Sequence, residues 1–389
     1  MISLDKLVEI GFTYSQATTL LTFFRNVGYL TVGETCVKEG VVIPTNKVLV
    51  FDGMDALNAT LKSDSQEYMD ISTILVQKGN MNPNKGRVNA VILYLGALSS
   101  GETYGDLVDE FISINANWSQ LLVNTNVDTN IELIADKALT RNRLFVAQTN
   151  SDDIANAVEN NIAMQLKALN NANTLLTYHT TANESLAAGL AGIMANPNLG
   201  SVGALYSTVT NVTPEDYTAT VNTNLDNQNV VYYSNVNSIN GGGVAQYATP
   251  IVMGSTMING EKTQRRYIRF CLDILLKAKC IDFLKKKLGY NDVSADVLLS
   301  MVKSVLIGCQ TNGMIKPDSV VTTGDETLEN LGFEVKVVYP TELRLEDETL
   351  YNNQIYKVQG YYRDNLMGEK VVIDLLIDPT DTEKSLLGF

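Results

Sequence analysis

The chain has 389 residues, a formal charge of −14 and a sequence pI near 4.6. At about 150 residues per domain this length predicts two or three domains, and the acidic balance excludes a nucleic-acid grip by the whole surface. A single histidine, His179, excludes a His-built metal centre, and four scattered cysteines without a C-x-x-C pair (Cys36, Cys271, Cys280, Cys309) predict buried structural thiols in a reducing compartment.

The N-terminus lacks the basic start and continuous apolar run of a signal peptide. The strongest apolar stretch, Val88 to Leu98, is too short to span a bilayer. We therefore expect a soluble protein made in the cytoplasm, with no direct membrane insertion. Asn makes up about one residue in ten, so the N-x-S/T matches at Asn58, Asn117, Asn183 and Asn211 are expected by chance.

Residues 2–12 alternate: Ile2, Leu4, Val8, Ile10 and Phe12 fall on one face, interrupted by Lys6. That is the period of a half-buried strand, and with no tight-turn signal in 13–25 it must find its sheet elsewhere. Next come a strand at Val48–Phe51, a helix over Met54–Leu61 with Asp52 as cap, and a helix over Glu67–Gln77. After a loop, Val88–Leu95 reads as an apolar strand and Tyr104–Asn115 as an amphipathic helix. Strands are expected at Trp118–Val123, Leu144–Gln148 and Thr174–Tyr178, separated by helices at Asn130–Arg141 and 152–169. A helix over 184–195 ends before Pro197. Short apolar runs alternating with helices imply a layered α/β domain with a partly parallel sheet.

The polar, Asn-rich stretch 223–243 reads as a link into a second region. There, 261–288 and 294–308 are expected helices, the second stopped by Asn312-Gly313. Strands follow at Phe333–Tyr339, Gln354–Tyr362 and Lys370–Asp378, the last two joined as a hairpin through residues 364–369.

Catalytic and ligand motifs fail on spacing. GSTMINGEKT (254–263) places five residues between its glycines and Glu261 before Lys262, which would repel phosphates, so it is no P-loop. Gly241-Gly242-Gly243 reads as a flexible turn, and no G-x-S-x-G elbow occurs. His179 has no evident Ser or Cys partner and is read as a surface residue. Glu342, Glu346, Asp347 and Glu348, with Arg344 among them, fit no calcium loop and read as a solvated face. No cofactor, metal site or catalytic residue is expected. Charge placement says more: residues 261–287 carry nine basic against three acidic side chains, a net +6 on a chain of −14. Either intrahelical pairs around Asp273 account for it, or a basic stripe faces an acidic protein partner.

On segment order and local texture the chain resembles contractile tail sheath proteins of phages and related injection machines. VLVFDGMDALNATLKSDSQEYMDISTILVQKG looks like the entry of that family's α/β domain. NRLFVAQTNS and NTLLTYHTTANE are similar to its paired strands, and GALYSTVTNVTPEDYTATVNTNLDNQNVVYYSNV to its crossover. GGGVAQYATPIVMGSTMINGEKTQRRYIRFCLDILLKA resembles the turn, strand and Arg-rich helix of the sheath core, and GYYRDNLMGEKVVIDLLID its closing hairpin. The N-terminal region departs from the pattern, being Thr-rich without a clear Gly-Val-Tyr opening.

The resemblance implies an α/β (α+β) fold: an inserted layered α/β domain at 41–216 and a sheath core of helices and antiparallel strands from 16–40 and 217–369. Residues 1–15 would be an N-terminal exchange arm and 370–389 a C-terminal exchange strand and tail. It also implies a structural, non-enzymatic subunit of the virion tail, polymerising with itself as hexameric rings stacked around a tail tube. Baseplate and tail terminator proteins would be further partners, with no nucleic acid among them. Inter-subunit strand exchange would use Ile2, Leu4, Val8, Ile10, Val371, Ile373, Leu375 and Ile377, by backbone pairing of the β-augmentation kind. Arg265, Arg266, Arg269 and Lys277 are the tube-facing candidates. The residues alone leave open an α/β enzyme or ligand-binding protein, or a noncontractile tail or baseplate component.

Overall fold

The structure, a computed structural model, describes residues 23–77, 88–195, 204–239, 246–323 and 326–365. Strands are β1 Asn26–Val32, β2 Val48–Phe51, β3 Ala90–Gly96, β4 Gln120–Val123, β5 Leu144–Thr149, β6 Thr174–Tyr178, β7 Val231–Ile239, β8 Gln246–Met253, β9 Ser319–Thr323, β10 Glu326–Asn330, β11 Phe333–Val338 and β12 Lys357–Tyr362. Helices are α1 Met54–Thr60, α2 Gln66–Val76, α3 Tyr104–Ile114, α4 Asp128–Thr140, α5 Asp152–Ala155, α6 Ile162–Ala168, α7 Leu186–Met194, α8 Ala219–Asn227, α9 Thr263–Lys285, α10 Asp292–Thr311, α11 Pro340–Glu346 and α12 Glu348–Asn352.

The expected mixed α/β class is what the chain adopts. One sheet has eight strands in the order β2-β3-β1-β4-β5-β6-β7-β8. From β3 to β7 the neighbours are parallel, and β2 and β8 close the two edges antiparallel. Helices on both faces bury the central strands, which is why β3 (AVILYLG) has all positions buried and no polar alternation. One core face gathers α2, α7, α9 and α10; the other gathers α3, α4, α6 and α8.

β1 is central although its sequence, NVGYLTV, carries little apolar run. Its Gly28 is required by packing: a Cβ there would stand 2.6 Å from the Trp118 ring. Trp118 is fully buried, stacked on Phe111 at 4.8 Å with the Arg143 guanidinium 5.1 Å over its ring. β1 comes from the 16–40 stretch yet pairs with β3 and β4, and β7 and β8 from beyond residue 216 extend the same sheet. The boundaries expected at 40/41 and 216/217 therefore do not coincide with sheet edges.

Four local expectations are corrected. The helix expected over 152–169 is two, α5 and α6, because Ala157 and Asn160 take φ of 50° and 62° and Asn161 caps a fresh helix. The Asn-rich link holds α8 and β7, whose Val231, Tyr232 and Tyr233 are buried against the sheet despite the polar composition. Gly53, not Asp52, is the N-cap of α1. His179, expected at the surface, is 1% exposed. The terminal alternating segment 2–12 and the expected strand 370–378 lie outside the described residues. So does most of the 364–369 connection; among the described residues β12 pairs with β11.

Candidate assembly surface

Beyond β8 the chain changes character. α9 and α10 pack as a long helical pair, and the strands that follow form two separate two-stranded ladders, β9–β10 and β11–β12. β11 and β12 run antiparallel from Phe333↔Tyr362 to Val338↔Lys357, and β11 rests on α10. At Gly360 the strands leave no room for a side chain: a Cβ would lie 2.2 Å from the Glu334 carbonyl oxygen. Val337 and Val338 are buried, but β12 stays half-buried to exposed along its length. Among the described residues neither strand pairs with a third, so each presents an outer edge of backbone donors and acceptors. An isolated two-stranded ladder is marginal in water without packing or further strands.

The basic helix is α9, and four of its cations, from Arg265 to Lys277, have partners within the subunit. Arg265 Nε meets Asp364 at 2.8 Å, Arg269 meets Glu261 at 2.7 Å, and Lys277 meets Asp273 at 2.9 Å. Arg266 donates through Nε to Asn173 Oδ1 at 2.9 Å, fastening α9 to the start of β6, and its burial lowers the guanidinium pKa. Of the two pairs that Asp273 could make by spacing, it makes the one with Lys277, while its second contact is the Asn142 amide. All four tube-facing candidates thus have intramolecular partners, at exposures that leave Arg265 and Arg269 about half open.

The far end of α9 differs. Lys279 and Lys286 line a shallow open groove of about 500 Å³ together with Val293, Asp296, Val297 and Met301 of α10. Lys285 to Lys287 are exposed at the helix end, where cations are favoured by the unpaired carbonyls. The acidic cluster is used locally: Glu342 accepts from the Tyr339 amide and Asp347 from the Leu350 amide, each satisfying a helix start.

The eight terminal strand-exchange candidates (Ile2, Leu4, Val8, Ile10, Val371, Ile373, Leu375, Ile377) lie outside the described residues. Sequence spacing missed the acceptor-like β11–β12 ladder as a unit, because the strands are separated by two short helices. It also missed Asp364 as a partner of Arg265, 99 residues away.

No family model matches the sequence, and no curated protein matches it. Solved structures match over nearly the whole chain. A chain of the anti-feeding prophage (AFP) baseplate, 6-fold symmetrised, is 12% identical with a TM-score of 0.60, covering 94% of this chain and 95% of that one. The AFP helical sheath in its contracted state is 11% identical with a TM-score of 0.61, covering 95% and 99%. The sheath tail protein of Desulfitobacterium hafniense is 9% identical with a TM-score of 0.50, covering 91% and 99%. At these identities the likeness is one of fold. This chain shares the fold of these sheath proteins over most of its length.

Proposed function

We propose that this protein is a structural subunit of a contractile tail sheath, polymerising as stacked rings around a tail tube and driving that tube through a host envelope when it contracts. The observation that carries the reading is end-to-end likeness to a contracted helical sheath, 95% of this chain against 99% of that one. The described residues agree: the ion pairs and caps of α9 to α12 are made within the subunit, and the β11–β12 ladder has two edges without a partner among the described residues.

In this reading the terminal segments 2–12 and 371–377 leave the subunit and add to the β11–β12 ladders of neighbours. Backbone hydrogen bonds supply affinity, and alternating side chains set register. In this reading the division between α/β part and assembly core falls after β8, at about residue 254, rather than at 216; the continuation of one sheet through β7 and β8 supports it. Contraction changes subunit packing while exchanged strands keep the lattice joined, and its energy is the lower free energy of the contracted packing. The basic character of α9 faces an acidic tube, with Lys279 and Lys286 added to Arg265, Arg266, Arg269 and Lys277 as contact candidates. Since exposed pairs contribute about 0–1 kcal/mol each, attachment rests on several weak contacts released together. The tail's baseplate and terminator proteins are the remaining partners.

Negative-stain electron microscopy of the expressed full chain tests the reading. Hollow, cross-striated cylinders support it; a protein that stays monomeric over a wide range of concentration and salt contradicts it.

A further inference from the structure

Residues 363–365, immediately after β12, are tied to three parts of the subunit at once. The Arg363 amide donates to the Gly332 carbonyl at 2.8 Å, and the Arg363 carbonyl accepts from the Lys316 amide at 2.9 Å. The Asn365 amide donates to the Met314 carbonyl at 3.0 Å, so Ile315 and Asp364 face one another as an antiparallel bridge. Side chains add to this. Gln264 Nε2 donates to the Asn365 carbonyl at 3.1 Å, and Asn365 Nδ2 donates to the Gly313 carbonyl at 3.0 Å. Arg265 Nε meets Asp364 Oδ2 at 2.8 Å, with the carboxylate side of the pair sheltered from solvent.

The partners are themselves fixed. Met314 and Ile315 are buried, and the Met314 amide closes the end of α10 on the Cys309 carbonyl at 2.9 Å. At Gly332 a Cβ would stand 1.8 Å from the Lys316 carbonyl oxygen, so these two stretches touch backbone to backbone. Asp318 Oδ1 joins them, accepting from the Gly332 amide at 2.7 Å and from Gln310 Nε2 of α10 at 3.0 Å. Gln264 and Arg265 belong to the first turn of α9, whose next residues are rooted in the core. Tyr267 Oη donates to the Phe24 carbonyl at 3.2 Å, and Phe270 packs on Phe23 and Phe24. Arg266 holds Asn173 at the start of β6.

The C-terminal segment follows Asn365, so any pull on that segment enters the subunit here. Taken by β12 alone, the pull would open its ladder from the Tyr362–Phe333 end inward, one pair after another. A two-stranded ladder has little to resist that. Taken by 363–365, the pull is shared at once among the backbone and side-chain bonds to 313–316, Gly332 and α9, and α9 passes it to the eight-stranded sheet.

We propose that residues 363–365 are a mechanical clamp on the root of the C-terminal segment: with Gln264, Arg265, Gly313, Met314 and Lys316 they carry the pull of an exchanged strand into α9 and spare the β11–β12 ladder. The clamp rests on the strand-exchange reading above and names the residues through which its force enters the subunit.

The test compares the full chain with the double variant Asp364→Ala, Asn365→Ala, which removes two side-chain bonds and no backbone donor. Melting of dispersed subunits, yield of cylinders and the rate at which cylinders fragment under fixed shear are measured on both. The double variant should melt no more than about 4 °C lower and assemble in equal yield. Its cylinders should fragment about tenfold faster or more, since two ordinary hydrogen bonds are lost at each anchor. A role in subunit stability alone would not move fragmentation at equal yield. Asp364→Asn, which keeps the shape of the side chain and loses its charge, should fall between the two. Equal fragmentation of the wild type and the double variant overturns the clamp. If the double variant melts too low to assemble, Asp364→Asn decides, and fragmentation at the wild-type rate then overturns it. A wild-type chain that forms no cylinders overturns the strand-exchange reading and the clamp with it.

Discussion

The eight-stranded sheet and the β11–β12 ladder are built from similar residues but finished differently. In the first, the interior strands have partners on both sides and helices on both faces. Its outer strands are short or guarded: β2 has four residues, and β8 carries Pro250 and the connector at 206–207. In the second, two strands share one ladder, one face rests on α10, and both outer edges are free among the described residues. The contrast separates a region that completes itself from one that another chain can complete.

The largest expected effect lies in the self-sufficient region. Trp118→Ala removes the ring that Phe111, Arg143 and Gly28 pack against and should cost about 3–5 kcal/mol. Urea unfolding should show the loss in the main transition; a change under 1 kcal/mol would mean the site collapses without penalty.

Next comes a proton held in the same region. Asp70 is buried, bonded by Tyr29 Oη and Gln66 Nε2 at 2.6 Å each, and burial pushes its carboxyl from the ordinary 3.8 to about 6. A raised carboxyl binds more protons folded than unfolded. Its contribution is therefore complete below about pH 4 and declines as pH rises through about 6, by about 3 kcal/mol in all. Asp70→Asn should flatten that slope in melts recorded across the range. A slope that persists unaltered would place the proton elsewhere.

The comparison sharpens at Gly360. A side chain there meets the Glu334 carbonyl, so Gly360→Val should open the β11–β12 ladder at a cost of about 1–3 kcal/mol locally. The main unfolding transition should stay in place while amide protection at Lys336 and Tyr361, which face across the ladder, falls. If the whole subunit unfolds instead, the two regions are one cooperative unit. Smallest is Arg265→Ala: its pair with Asp364 is about half open to solvent on the arginine side, and its loss should cost less than about 1 kcal/mol by thermal melting. A larger loss would make the pair part of the core.

What was legible in sequence tracks what local physics decides. Apolar runs such as β3 and the periodic helices α3, α4 and α9 were found within a few residues, because burial on one or both faces writes itself into the pattern. β7 was not, since Asn235 and Asn237 sit where apolar residues would mark a strand, and its place follows from pairing with β6 and β8. The break between α5 and α6 depends on left-handed Ala157 and Asn160, which periodicity does not register. His179 looked exposed because its cover, Glu184 and Glu215, comes from 5 and 36 residues further on. In the assembly surface the basic character of α9 was legible, but its partners were not: Asp364 and Asn173 are each more than ninety residues from the arginines they hold.

The central claim is that terminal strands of neighbouring copies complete the open region, and proline is the sharpest probe of it. A doubly substituted chain, Val8→Pro with Ile373→Pro, loses ladder donors from both segments while every described residue keeps its identity. Sedimentation with electron microscopy should find it as dispersed, folded subunits with the wild-type melting transition, while the unsubstituted chain forms cylinders. Cylinders of normal length and striation from the doubly substituted chain would contradict strand exchange.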